Sequence, residues 1–91
     1  MGSSFTDSLG VAFLGADVGR HVAGWARAAE RAGLGSVWLI EDYFYPGAFA
    51  LAAAVAAVTE RAVVGLGVVN PYTRHPALVA METATLAGLA L

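Results

Sequence analysis

The chain has 91 residues, of which 58% are hydrophobic and 13% are charged, and its net charge is −2. Ordinary soluble domains carry about 25% charged residues, so this composition excludes disorder and leaves more apolar surface than a small isolated domain buries. The chain has no cysteine and no basic stripe, which disfavours disulfides, thiolate metal sites and nucleic-acid binding.

Residues 1–8 are predicted to be an amino-terminal tail, and residues 9–91 the folded domain. The tail has no basic region followed by an apolar core, so it does not resemble a signal peptide. We therefore expect a cytoplasmic protein. The longest uncharged run, residues 43–59, contains Pro46 and Gly47 and is shorter than the roughly 20 apolar residues of a spanning helix, so no membrane association is expected.

The first predicted unit is a strand followed by a helix. Residues 9–14 form a short apolar run typical of a buried strand. Asp17 offers an N-cap oxygen to the next helix. Apolar residues then recur every three or four positions from Val18 to Ala32, which predicts an amphipathic helix. Gly33 ends it, because glycine readily adopts the positive φ of a helix terminus.

Two further units follow with the same order. The second has a strand at residues 36–40, a loop at 41–47 and a helix from Ala48 to Val58. The third has a continuous apolar strand at residues 62–69, as expected when both faces are buried. After a loop at residues 70–75, Pro76 suits the first turn of a helix that runs to Leu89. Strands that alternate with helices in this way predict right-handed βαβ units and a parallel sheet.

Ligand sites in parallel α/β folds lie at the carboxyl ends of the strands. One such position carries adjacent carboxylates, Glu41 and Asp42, beside three aromatic residues. These residues either hold a planar ligand, or form a loop in which an aspartate caps a helix and the aromatics pack on a neighbour. The residues alone favour neither interpretation.

For the other polar and aromatic residues, a structural role is at least as well supported by the sequence as a functional one. Arg74 and His75 suit anion binding and acid–base chemistry, or simply precede a helix as exposed residues. Glu30 and Glu82 are interpreted as structural partners on helix surfaces. Both tryptophans, at positions 25 and 38, are predicted to lie in the core. The sequence contains no arrangement typical of a serine hydrolase or a metal site, so neither a catalytic residue nor a metal ligand is assigned.

Two strings resemble a known family: GWARAAERAGLGSVWLIED at residues 24–42, and TERAVVGLGVVNPYTRHPALVAMETATLAGL at residues 59–89. They resemble the amino-terminal part of the luciferase-like monooxygenase superfamily. The most similar branch is the deazaflavin-dependent one, which uses coenzyme F-420 and includes methylenetetrahydromethanopterin reductase. NPYTRHP, after a strand that ends in GxGV, is the more specific part of the resemblance.

The resemblance implies the fold class and a set of site residues. Members are (β/α)8 barrels, so residues 9–91 are expected to form the first three βα units of an incomplete TIM barrel. The Gly67–Val68 peptide bond is expected to be cis and to back the cofactor ring. The residues expected to bind the cofactor are Asp42, Tyr43, Gly67, Val68 and Val69. Leu14 is expected to lie on the same side and to contact substrate.

Two departures from the family bear on activity. Many deazaflavin-dependent relatives carry Asp-His after the second strand, where this chain has Asp42 and Tyr43, so a proton role for histidine is not carried over. A (β/α)8 barrel also needs roughly 250 residues, so we expect an amino-terminal fragment of an oxidoreductase that transfers a hydride, inactive by itself. The alternatives are an FMN-dependent monooxygenase, or a non-catalytic truncated chain that docks onto a companion chain or forms a homo-oligomer.

Overall fold

Three parallel strands alternate with three helices in the computed structural model, which describes residues 8–90. The elements are β1 (Gly10–Phe13), α1 (Val18–Arg31), β2 (Ser36–Leu39), α2 (Ala48–Val58), β3 (Val63–Leu66) and α3 (Pro76–Leu89). The sheet order is β1-β2-β3, and both pairings are parallel. The predicted βαβαβα order is confirmed. Of the predicted tail, residues 1–7 lie outside the described part of the chain, as does Leu91.

The helices cover one face of the sheet, and this packing forms the core. Val37 and Leu39 of β2 point into it and are fully buried. Val22 of α1 and Val55 of α2 pack against the same cluster. Each buried aliphatic side chain of this kind contributes about 1.5–3 kcal/mol. Helix α2 lies between α1 and α3 and contacts both β2 and β3, so it is the central element of the helical layer.

The opposite face of the sheet, here called the inner face, carries no helix. Val63 and Trp38 are 63% and 42% exposed on it. The prediction that β1 and β3 are fully buried strands is therefore wrong for this chain, since β1 alternates between exposed and half-buried residues. The prediction that both tryptophans lie in the core is also wrong, because Trp25 on α1 is 40% exposed.

Helix α1 begins and ends close to the predicted residues. Asp17 occupies the N-cap position, but its side chain makes no capping hydrogen bond, which corrects the prediction. At the other end, Gly33 has a φ of 89°, and the Leu34 amide donates to the Ala29 carbonyl at 3.1 Å. This pairing satisfies a carbonyl that the end of a helix would otherwise leave without a partner.

Helix α3 is the most exposed of the three. None of its residues is buried, and Leu78, Met81 and Leu89 are between 44% and 62% exposed. An apolar groove of about 330 Å³ runs between α2, β3 and α3. Among the helices of residues 8–90, none combines the length and apolarity needed to cross a membrane.

Candidate functional site

All six residues predicted to bind cofactor or substrate follow the carboxyl ends of the strands. Because the strands are parallel, these ends meet at one edge of the sheet. Leu14 follows β1 and is 66% exposed. Asp42 and Tyr43 follow β2, and residues 67–69 follow β3. The structure places these residues at a shared edge, while their contacts with a ligand stay predictions.

Glu41 ties together the loops that follow β2 and β3. Its carboxylate accepts hydrogen bonds from Arg74 Nε at 3.0 Å and Nη2 at 2.6 Å. It also accepts the backbone N–H of Ala48, the first residue of α2, at 3.2 Å. Glu41 and not Asp42 is therefore the carboxylate that caps α2. A guanidinium that bonds both oxygens of a carboxylate fixes the orientation of the two groups as well as their distance. The Glu41–Arg74 pair therefore sets the relative position of the two loops.

Charge complementarity stabilises the ionised forms of this pair. Hydrogen bonds from Arg74 hold the pKa of Glu41 below its usual value, and burial opposes that shift only in part. The hydrogen bond with Glu41 likewise raises the pKa of Arg74. The guanidinium also lies over the Phe49 ring, 4.8 Å from the centroid, a favourable cation–π geometry. With its charge compensated in this way, Arg74 serves to connect the loops.

Asn70 makes the second link between the same loops. Its side-chain amide donates to Tyr43 Oη at 3.3 Å, and its side-chain oxygen accepts the Tyr72 amide at 2.7 Å. The second bond is an Asx turn, which shapes the loop before α3. Tyr43 stays 65% exposed, so its ring is held at one edge and faces solvent.

The segment that follows β3 has the predicted backbone geometry. The Gly67–Val68 peptide bond is cis. The Gly67 amide donates to the Leu39 carbonyl at 3.0 Å, so the segment stays attached to the end of β2. Val68 is 75% exposed and presents an apolar side chain at the edge of the sheet.

An open cavity of about 500 Å³ lies between the two loops, a volume within the range of small-molecule sites. Its lining includes Asp42, Tyr43 and Asn70. Within residues 8–90 the Asp42 carboxylate has no hydrogen-bond partner, and its side chain is exposed. Phe44 beside it has a φ of 69° and is fully exposed. Non-glycine residues with such backbone angles concentrate at functional sites.

His75, the residue after Arg74, has a structural role at the start of α3 and not a shown role in acid–base chemistry. Its Nδ1 accepts the Ala77 amide at 3.0 Å, so the imidazole caps α3. The sequence interpretation missed the Glu41–Arg74 pair, although opposite charges placed after successive parallel strands were visible there. In the part of the chain that the structure describes, no group of three or more His, Cys, Asp or Glu residues could hold a metal ion.

Comparisons with known proteins place the chain in a family and support its fold. The luciferase-like monooxygenase family matches residues 4–90. The chain is 35% identical over 82 residues to 5,10-methylenetetrahydromethanopterin reductase from Methanopyrus kandleri, covering 87% of this chain and 23% of the relative. It is 30% identical over 79 residues to the reductase of the same name from Methanolobus tindarius, covering 87% and 24% of the two chains.

A solved structure is also similar: the coenzyme F-420-dependent tetrahydromethanopterin reductase from Methanopyrus kandleri. It aligns with a TM-score of 0.81 and 31% identity, over 92% of this chain and 25% of the reductase. The likeness confirms the fold class, an open parallel sheet that matches the start of a TIM-barrel-like fold. The chain therefore spans about a quarter of the length of these relatives.

Proposed function

Because the chain belongs to the luciferase-like monooxygenase family, a family of oxidoreductases that includes F-420-dependent reductase homologues, we propose that it forms one wall of a deazaflavin site. In this proposal Asp42, Tyr43 and residues 67–69 hold coenzyme F-420, and Leu14 faces the substrate. The observation that carries it is the likeness, at a TM-score of 0.81, to a reductase whose name includes that coenzyme.

The residues at the carboxyl edge suit a flat ring with polar margins. Tyr43 and Val68 offer exposed apolar surface. The Asp42 carboxylate can accept hydrogen bonds from the N–H groups of such a ring, because no described residue donates a hydrogen bond to it and its side chain is exposed. Binding against these groups orients the ring without any of them taking a proton in the reaction.

Coenzyme F-420, when bound, supplies the hydride chemistry. The contribution of this chain is positional. Glu41 and Arg74 link the two loops through an ion pair of 2.6 Å, and Asn70 donates a hydrogen bond that holds Tyr43 at the edge of the cavity. We assign no general acid or base to these residues.

Residues 9–91 are proposed to act as three units of a larger barrel, with residues 1–8 as a tail, and to be inactive alone. The inner face supports this proposal, since Val63, at the first residue of β3, is left 63% exposed on it. A barrel interior is normally a packed core that excludes water. We propose that further parallel βα units of a companion chain pair with the free edge of β3, and a homo-oligomer is the alternative assembly.

Ligand titration of the purified chain tests the proposed site. Coenzyme F-420 and FMN are added separately, and binding is followed by the absorbance of each ring, which differs between the two compounds. We expect F-420 to bind and D42A to weaken binding roughly tenfold, which corresponds to about 1.4 kcal/mol. E60A, which changes an acid outside the site, is the matched control and should bind as the unmodified chain does.

The outcomes separate the candidate functions. Preferential binding of FMN would favour the alternative, an FMN-dependent monooxygenase of the same luciferase-like family. Failure of both compounds to bind, with the chain folded by circular dichroism, would contradict a redox site in this chain and favour the non-catalytic alternative.

A further inference from the structure

Trp38 lies at the centre of the inner face. Its register partners are Ala12 on β1 and Gly65 on β3. The helices pack against the other face, so the indole stays 42% exposed while its neighbours Val37 and Leu39 are fully buried. A large aromatic side chain that is central in a sheet and yet partly exposed is a candidate contact surface, because exposed apolar patches often mark binding sites.

Glycines on the neighbouring strands make room for the indole. A Cβ atom at Gly65 would overlap the six-membered ring of Trp38, and one at Gly67 would lie 3.3 Å from Trp38 Cε3. Gly65 is itself buried. The indole therefore lies across β3 and reaches the start of the segment that is proposed to hold the cofactor.

The other end of the ring is fixed by a hydrogen bond. Trp38 Nε1 donates to Ser36 Oγ at 3.0 Å, and a Cβ at Gly10 would lie 3.2 Å from the same nitrogen. The indole is thus held at its pyrrole side by Ser36 and at its benzene side by the glycine backbone of β3. Its exposed face is an apolar surface whose orientation is set by these contacts at both ends of the ring.

We propose that Trp38 forms the floor of the ligand site and contacts the flat fused ring of a bound deazaflavin or flavin. This inference rests on the proposed function and adds a residue to it. An indole buries a large area against another aromatic ring and favours offset or edge-on contact. A Cβ at Gly67 would lie 3.3 Å from Trp38 Cε3, so the indole adjoins the segment proposed to back the cofactor ring, beside the cavity between the two loops.

The two tryptophans of the chain provide a matched pair for the test. Trp25 lies on α1, with its ring centroid 5.5 Å from that of Phe13 and 5.1 Å from that of His21. W25F and W38F each leave one indole and assign the two indole N–H signals in a proton–nitrogen NMR spectrum. The unmodified chain and both variants are titrated with FMN and with coenzyme F-420.

Contact with Trp38 has two expected signatures. The Trp38 N–H signal shifts during the titration while the Trp25 signal stays in place. The emission of the bound ring is quenched in the unmodified chain and in W25F, because electron transfer from indole to an excited flavin needs near contact, and it recovers several-fold in W38F. If W38F does not fold, the N–H signals of the unmodified chain decide by themselves.

The titrations distinguish failure of the role proposed for Trp38 from failure of the proposed function. Binding that leaves the Trp38 signal in place, with equal quenching in both variants, overturns the role of Trp38 and leaves the proposed function standing. The absence of binding by both compounds to the folded chain overturns the proposed function, and the role of Trp38 with it.

Discussion

At the scale of single residues, Glu41 shows how one side chain in the cavity wall connects the elements around it. Its two oxygens serve Arg74 and the first amide of α2 together. The sequence interpretation singled out the adjacent carboxylates but assigned the capping role to an aspartate. The longer glutamate fills it in the structure, and Asp42 is left open toward the cavity.

E41Q should therefore destabilise the chain. Glutamine keeps the shape but removes the charge that pairs with Arg74, so we expect a loss of about 1–2 kcal/mol, between the values for exposed and buried pairs. Urea denaturation followed by circular dichroism measures the loss. E60Q is the charge-matched control, and equal stabilities of E41Q and E60Q would show that the pair contributes little.

The pH dependence follows from the same carboxylate. The pKa of Glu41 is lowered from its usual 4.5, so the folded chain holds fewer protons than the unfolded chain in the acidic range. This contribution to stability is complete above pH 4.5 and is lost as the pH falls through the lower folded value. Denaturation midpoints between pH 3 and pH 7 should therefore decline on the acidic side, and more gently in E41Q. An identical decline in both would contradict the assignment.

At the scale of elements, Glu30 connects α1 to the turn before β3. Its carboxylate accepts the backbone amides of Glu60, Arg61 and Ala62, at distances of 2.6–3.0 Å. Burial raises the pKa of Glu30, but these donors outweigh it and the net shift is downward. The prediction that Glu30 is a structural partner on a helix surface is confirmed by these bonds.

E30A should lower the free energy of unfolding by about 1.5–3 kcal/mol, the usual range for hydrogen bonds to a charged group. E30Q keeps one acceptor oxygen and should lose less. Thermal and urea denaturation compare both with E60A, in which the Glu60 amide is kept. A ranking in which E60A is the least stable of the three would contradict this role for Glu30.

A substitution at Gly65 tests whether the Trp38 ring of β2 lies over β3 on the inner face. G65A places a methyl group where the Trp38 ring lies, so we expect a cost of about 1–3 kcal/mol from overpacking and a shift in tryptophan emission. G88A is the matched control, since no atom lies within 4 Å of a Cβ there and alanine favours helices by about 1 kcal/mol over glycine. Equal stability of the two variants would mean that Trp38 does not lie over Gly65.

At the scale of the whole molecule, the helical layer covers only one side of a three-stranded sheet. The strands β1 and β3 are the edges of that sheet, and unpaired edges invite further strands. The exposed side chains of α3 add to the apolar surface. A partner that continues the sheet would cover these features together.

We expect the purified chain to associate. Light scattering after size-exclusion chromatography should give a mass that rises with concentration, and V63K should lower it, because a lysine on β3 opposes edge pairing. R20K, on the surface of α1, is the control. A single monomeric mass at every concentration would contradict the homo-oligomer.

Local patterns in the sequence sufficed to predict the order of the elements, the bounds of α2 and α3, and the edge at which the candidate residues lie. These features depend on periodicity, turn residues and the handedness of parallel units, all of which act over short stretches. The partners of Glu41 and Glu30 and the exposure of Trp38 depended on tertiary structure. The two glutamates bond residues some 30 positions away in the chain, which local patterns do not relate. Whether Trp38 is buried or exposed depends on which face of the sheet the helices cover.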